Sequence, residues 1–340
     1  MKLRFPRPLD PGDTVAVTSP SGGVPPALKP RLEFAVETVR SRGFEVLIGE
    51  CMDGNGATSA PARERARELQ DFLLDPEIRA VIPPWGGELA IDLIPCLDWQ
   101  ALAEAEPTWV IGYSDISTLL LPLTLNAGVA TVHGNNLLDT PFAVPEGLVG
   151  WMDVVSLPRG ASFTQDAPDK YREGYVLYET FPEVAEFELT EEAYWVRLDG
   201  AADVRVQGRL IGGCVETLGN LAGTPFGMTS ELTRSTGDPL IVYVEAANAD
   251  AYEVCRTLHG MRLAGFFDSA AAVLVGRTNA PDCADMNQYD AVIDALGGLG
   301  VPIIADVECG HVAPFMPLVN GAMAEVIATE TQSQIRQTLA

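Results

Sequence analysis

An apolar run, Trp109-Val110-Ile111, ends in Gly112-Tyr113-Ser114-Asp115 and leads into a mostly apolar stretch over residues 116–125. A strand apolar at every position is buried on both faces, as in a parallel sheet covered by helices. Breaking it at glycine, presenting one hydroxyl and continuing into a helix is how a serine nucleophile is lifted clear of its own backbone. Ser114 would then lie at a helix N-terminus, where free N–H groups can stabilise an oxyanion. The Gly-x-Ser-x-Gly pattern is not met, because Ile116 occupies its last glycine position. A serine that merely caps a helix leaves the same trace.

The stretches on either side repeat this alternation. Residues 14–18, 44–48, 80–82, 108–111 and 129–132 read as strands, and 28–42, 61–74 and 89–97 carry apolar residues at helical spacing. Alternating βα units predict a parallel sheet with helices on both faces. From about 140 to 207 the pattern degrades into Pro, Gly and clustered acids, with Tyr171, Tyr175, Tyr178, Phe181, Phe187, Tyr194 and Trp195 among them. A segment this irregular is a linker or a functional loop. Its aromatics are either the core of a small β-element or a stacking surface for substrate. A second α/β region follows, in which residues 208–213 lead into 215–221, with strands at 239–244, 271–275 and 301–305, and helices at 250–261 and near 288–296.

Composition narrows the function classes. The 340 residues carry 47 acidic against 22 basic side chains, a formal charge of −25, which repels polyphosphate backbones and argues against nucleic-acid binding. No apolar run approaches the roughly 18–20 residues of a membrane span. The basic N-terminus lacks the apolar stretch of a secretory leader. Six scattered cysteines with no C-x-x-C pair suit free thiols in a reducing cytoplasm, and the histidines His133, His259 and His311 show no metal-ligand spacing.

In open α/β sheets ligands bind beyond the carboxyl ends of strands. Ser114, Glu245 and His311 each follow an apolar strand into such a place. A hydroxyl nucleophile needs a base, and the base needs an orienting acceptor on its other nitrogen. These three residue types supply those roles, although Glu245 could equally serve a helix dipole and His311 could be an ordinary loop histidine.

The blocks Pro11-Gly12-Asp13-Thr14, Ser19-Pro20-Ser21, Leu74-Asp75-Pro76-Glu77-Ile78-Arg79, Gly86-Gly87, Gly112-Tyr113-Ser114-Asp115-Ile116, His133-Gly134, Gly208-Arg209-Leu210-Ile211-Gly212-Gly213, Gly223-Thr224-Pro225, Glu245 and Cys309-Gly310-His311, in this order, resemble the LD-carboxypeptidase family of serine peptidases. That family includes muramoyltetrapeptide carboxypeptidases and microcin C immunity peptidases. The resemblance implies an α/β fold with a flavodoxin-like parallel-sheet domain (1–140) bearing the nucleophile. A linker and aromatic-rich loop region (141–206) would follow, then a C-terminal α/β domain (207–340) bearing the acid and the histidine, with the site in the cleft between the domains. It makes Ser114 the nucleophile, His311 the base, Glu245 its orienting carboxylate, and the N–H groups of Gly87 and Asp115 the oxyanion hole. It also implies a homodimer that needs no metal or cofactor, to which the cysteine pattern adds a cytoplasmic location.

Within the family, the length of the middle segment and the blocks Trp85-Gly86-Gly87-Glu88-Leu89 and Gly213-Cys214-Val215-Glu216-Thr217 are similar to the microcin immunity branch. Its members cut an acyl-sulfamoyl or acyl-phosphoramidate bond between an amino acid and a nucleotide and stack the base on a loop tryptophan. The resemblance thereby points to Trp195 and Glu216 as substrate-binding residues. Two positions depart from the pattern: Cys214 stands where an asparagine is usual, and Ala249 where a basic residue is expected. The substrate is expected to be an aminoacyl-nucleotide compound or a small murein peptide. A non-catalytic binding protein and an ordinary α/β-hydrolase esterase are the competing readings. The intact Ser/Glu/His set counts against the first, and Ile116 with the missing His-Gly-Gly-Gly motif against the second.

Overall fold

The structure is a computed structural model describing residues 2–200 and 203–340. In the first half β1 (Thr14–Val17), α1 (Lys29–Ser41), β2 (Glu45–Ile48), α2 (Ala62–Leu74), β3 (Ile78–Val81), α3 (Trp99–Glu104), β4 (Trp109–Gly112), α4 (Ser117–Leu125) and β5 (Thr131–His133) follow one another. The five strands run parallel in spatial order 2-1-3-4-5. In sheets of this order the ligand crevice opens at the carboxyl ends of the strands, beside β1 and β3. Residues 89–97, expected as an α-helix, instead form a 3-10 helix over Ala90–Cys96. Pro95 has no N–H to give to an i→i−4 ladder.

The middle of the chain holds α5 (Trp151–Val155), β6 (Ser162–Asp166), the paired short strands β7 (Lys170–Tyr171) and β8 (Glu191–Glu192), and β9 (Val196–Arg197). The second half contains β10 (Val204–Cys214), α6 (Val215–Leu221), α7 (Ser230–Thr236), β11 (Leu240–Glu245), α8 (Ala251–Leu263), β12 (Ala270–Gly276), α9 (Gln288–Leu296), β13 (Ile303–Val307), β14 (Leu318–Asn320), β15 (Met323–Ala328) and β16 (Ser333–Thr338). An eight-stranded sheet has the order 6-16-15-10-11-12-13-9. Its centre, β10 to β13, is parallel, whereas the pairings β10–β15, β15–β16 and β16–β6 on one side and β13–β9 on the other are antiparallel. Of the stretch 141–206, β6 and β9 therefore close the two edges of the second sheet.

The expected all-parallel N-terminal sheet is corrected by β14, which leaves the second half and pairs antiparallel with β5. The fold thus has two mixed sheets. This excursion stitches the halves together. Asn320 at the end of β14 accepts from Tyr243 Oη at 2.7 Å and from Gly212 N at 3.2 Å, and donates to Thr131 Oγ1 at 3.2 Å.

Helix α4 is the second stitch. All nine of its residues are buried. A helix apolar on every side has no solvent face and must lie between two cores. Leu119, Leu120 and Leu123 belong to the core that also holds residues of α2 and β3, while Leu121 and Leu125 belong to the core that also holds residues of α6, α8 and β11. Each such leucine contributes on the order of 1.5–3 kcal/mol by burial. The 3-10 turn Ser114–Ile116 that leads into α4 is therefore fixed at the junction of the halves. Among the described residues no helix is long and apolar enough to cross a membrane.

Candidate active site

Strand β4 is fully buried and ends at Gly112, after which Tyr113 is extended and Ser114 takes φ +62°. This left-handed conformation costs a non-glycine residue about 1–3 kcal/mol and persists only where its surroundings enforce it. The turn projects Ser114 into a cavity of about 520 Å³. Gly86 passes so close that a Cβ there would lie 2.8 Å from the Ser114 Cβ and 3.1 Å from Asp115 N. Only glycine admits this approach, which brings the Gly86-Gly87 backbone over the serine; Gly87 lines the same cavity. The Asp115 side chain holds the loops in place. It accepts from Ser21 Oγ at 2.5 Å, from Ala90 N at 2.8 Å and from Thr118 Oγ1 at 3.3 Å.

The second half supplies His311 and Glu245 at the carboxyl ends of β13 and β11. His311 Nδ1 and Glu245 Oε2 are 2.7 Å apart, with the carboxylate fully buried and the imidazole opening onto the cavity that holds Ser114. Gly310 lets the loop pass over Glu245, since a Cβ there would lie 2.9 Å from Glu245 Oε2. Burial opposes the imidazolium form of His311, but the Glu245 charge and hydrogen bond outweigh it and leave the histidine above its ordinary pKa. Tyr113 packs against the His311 ring at 4.8 Å between centroids. His133 Nε2 lies 2.7 Å from the Cys309 carbonyl, tying β5 to the His311 loop, and burial lowers its pKa. The structure thus brings Ser114, Gly87, Asp115, Glu245 and His311 to one place.

Two sequence expectations are corrected. Trp195 is buried in a further hydrophobic cluster that includes Leu210, Ile241 and Leu274, and it donates from Nε1 to Glu308 Oε2 at 2.9 Å. It is absent from the lining of the Ser114 cavity. The tryptophan satisfies Glu308, a carboxyl that burial pushes up to about 7. Glu216 also does not line the cavity. Its Oε1 accepts from the N–H groups of Ala247, Asn248 and Ala249 at 2.8–3.0 Å, and its Oε2 from Cys214 Sγ at 3.0 Å. Burial works against its charge, but these donors prevail and lower its pKa. Glu216 is thus committed to shaping the turn after Glu245.

The cavity's aromatic walls come from elsewhere: Trp85, Phe142, Tyr175, Tyr178, Phe187 and Phe315. Tyr175, Tyr178 and Phe187 lie in the segment whose aromatic richness the sequence displayed, but which of its rings faced the site depended on pairing between β7 and β8. Tyr178 donates to Asp139 Oδ1 at 2.5 Å and packs 4.3 Å from the buried Arg31 guanidinium. Arg31 in turn donates to the carbonyls of Pro182 and Val184, fastening this loop to α1.

Cys255, His259 and Asp294 form the one cluster with metal-ligand geometry among the described residues. It lies on the exposed faces of α8 and α9, with His259 Nε2 2.7 Å from Asp294 Oδ1, and does not line the Ser114 cavity. Histidine spacing alone did not reveal it, because Asp294 arrives from a second helix. The six cysteines are unpaired.

A hydroxyl on a strained strand-to-helix turn, sharing a cavity with a carboxylate-bound imidazole, is the arrangement of proteins that perform acyl transfer through serine. The LD-carboxypeptidase N-terminal domain family matches residues 15–134, and the LD-carboxypeptidase C-terminal domain family matches residues 207–326. The chain belongs to the LD-carboxypeptidase family of serine peptidases. It is 26% identical to the microcin C7 self-immunity protein MccF of Escherichia coli, over 92% of this chain and 90% of that protein. It is also 26% identical to a probable murein peptide carboxypeptidase of Bacillus subtilis, over 97% and 93% of the two chains. The fold matches the solved structure of MccF in complex with aspartyl sulfamoyl adenosine, with a TM-score of 0.81, 23% identity and 98% of both chains covered.

Proposed function

We propose that this protein is a serine hydrolase that cleaves an amide next to a free carboxylate, and that its substrates are small aminoacyl-nucleotide compounds. Ser114 Oγ attacks the acyl carbon while His311 Nε2 takes its proton. His311 Nδ1–H stays bonded to Glu245, which steadies the imidazolium. The N–H groups of Gly87 and Asp115 receive the oxyanion. On collapse His311 returns the proton to the leaving nitrogen, and a water then repeats the cycle on the acyl-enzyme. The observation that carries this reading is the shared cavity of Ser114 and the Glu245-paired His311.

The aminoacyl-nucleotide preference is supported by the width and aromatic walls of the cavity and by the likeness to MccF, whose structures hold such analogues. With Trp195 buried, the stacking surface we assign is Tyr175, which lines the cavity and is exposed. The burial of Trp195 also favours a second reading, a murein tetrapeptide carboxypeptidase, because no tryptophan from the middle segment faces the site. We further infer a homodimer working in the cytoplasm. Incubation with aspartyl sulfamoyl adenosine and, separately, with an L,D-linked tetrapeptide, followed by mass spectrometry, tests the choice. Faster release of aspartate from the first is expected; cleavage of the tetrapeptide alone would replace the first reading with the second.

A further inference from the structure

In a protein this acidic a substrate carboxylate is favoured by a cation inside the cavity, and the lining of the cavity offers one. Arg172 is the only lysine or arginine among the described residues that line it, alongside the acidic Glu88 and Asp139. Among the other buried or half-buried guanidiniums, Arg65 is engaged with Asp92, Arg197 with Asp199, Arg209 with Asp238, Arg277 with Glu308, and Arg31 with three carbonyls, while Arg79, whose Nε and Nη2 lack partners among the described residues, does not line the cavity. Arg172 is half-buried, and among the described residues its side chain has no ion-pair or hydrogen-bond partner. Its backbone is nevertheless held. Arg172 N donates to Ala313 O at 3.0 Å, two residues beyond His311. Its neighbour Tyr171 is pinned in the β7–β8 pair and lies 4.4 Å from the Arg277 guanidinium. A charged fork is thus carried on the wall that bears the histidine. The positions where family resemblance leads one to expect polar or basic side chains cannot replace it, because Cys214 gives its thiol to Glu216 and Ala249 offers no charge.

We infer that Arg172 receives the free carboxylate of the substrate and sets the selectivity for anionic compounds. This rests on the hydrolase reading above. A guanidinium matches a carboxylate with two parallel hydrogen bonds, a match that neither lysine nor a neutral side chain reproduces.

The test measures binding to Ser114→Ala protein with and without Arg172→Gln or Arg172→Lys, by titration calorimetry. The ligands are aspartyl sulfamoyl adenosine with its asparaginyl counterpart, and the L,D-tetrapeptide with its C-terminal amide. Arg172→Gln should weaken the carboxylate form of the substrate class that binds by tenfold or more, with Arg172→Lys intermediate. The matching neutral form should bind both proteins equally and weakly, and unchanged thermal unfolding would show that the loop is intact. Equal losses for charged and neutral forms, or no loss for either, would overturn the assignment. If none of the four ligands binds the Ser114→Ala protein, the substrate class itself is wrong and the role of Arg172 falls with it.

Discussion

Ser114 is held at φ +62°, and that conformation separates its chemical role from its structural one. Ser114→Ala should abolish turnover with little change in stability, because the hydroxyl caps no helix here. Ser114→Gly should also be inactive yet at least as stable as the parent, since glycine escapes a strain of about 1–3 kcal/mol and loses roughly 0.5–1 kcal/mol to chain entropy. A large drop in melting temperature for the glycine variant would show that the turn is unstrained. The Glu245–His311 pair makes a second statement. A base must be neutral to accept a proton, so the acidic limb of kcat/KM should lie above the ordinary imidazole value, following the raised pKa of His311. In Glu245→Gln the charge that holds the imidazolium is gone, so that limb should move to lower pH while the plateau rate falls. An unmoved limb would mean that another group titrates.

At the scale of elements, the sequence was most legible where burial dictates pattern. The buried strands β1, β3, β4 and β5 show as short apolar runs, and α8 and α9 as stretches of helical pattern. The strands β14 to β16 and the edges β6 and β9 did not, because their partners lie far along the chain and pairing, not propensity, makes them strands. For the same reason Ser114, Glu245 and His311 could be picked out as strand-end residues, whereas their meeting could not. Trp195 shows the opposite failure. An aromatic in an irregular segment looks like a ligand platform, but Trp195 directly precedes the edge strand β9, is buried, and gives its N–H to Glu308. Trp195→Ala should therefore cost about 3–5 kcal/mol in stability, read by denaturant unfolding. Tyr175→Ala should leave stability within about 0.5 kcal/mol but weaken aspartyl sulfamoyl adenosine by roughly tenfold, in line with stacking energies. Intact affinity in the Tyr175 variant would remove the stacking surface.

At the scale of the molecule, the two halves are one cooperative unit in this account. Helix α4 belongs to both cores, and β14 crosses from one sheet to the other. Calorimetric unfolding should show a single transition; two resolved transitions would mean that the site is assembled from independently stable parts. The proposed catalytic route calls only on side chains and backbone N–H groups of this chain. EDTA should accordingly leave the rate unchanged, and an activity lost to chelation and restored by zinc would overturn the serine mechanism.

The most direct test of the central claim follows aspartyl sulfamoyl adenosine by mass spectrometry with the parent protein and with Ser114→Ala at equal concentration. The account predicts that the parent releases aspartate and sulfamoyl adenosine, and that the variant, folded and able to bind the compound, releases neither. A variant that keeps more than a few per cent of the parent rate would show that Ser114 is not the attacking group.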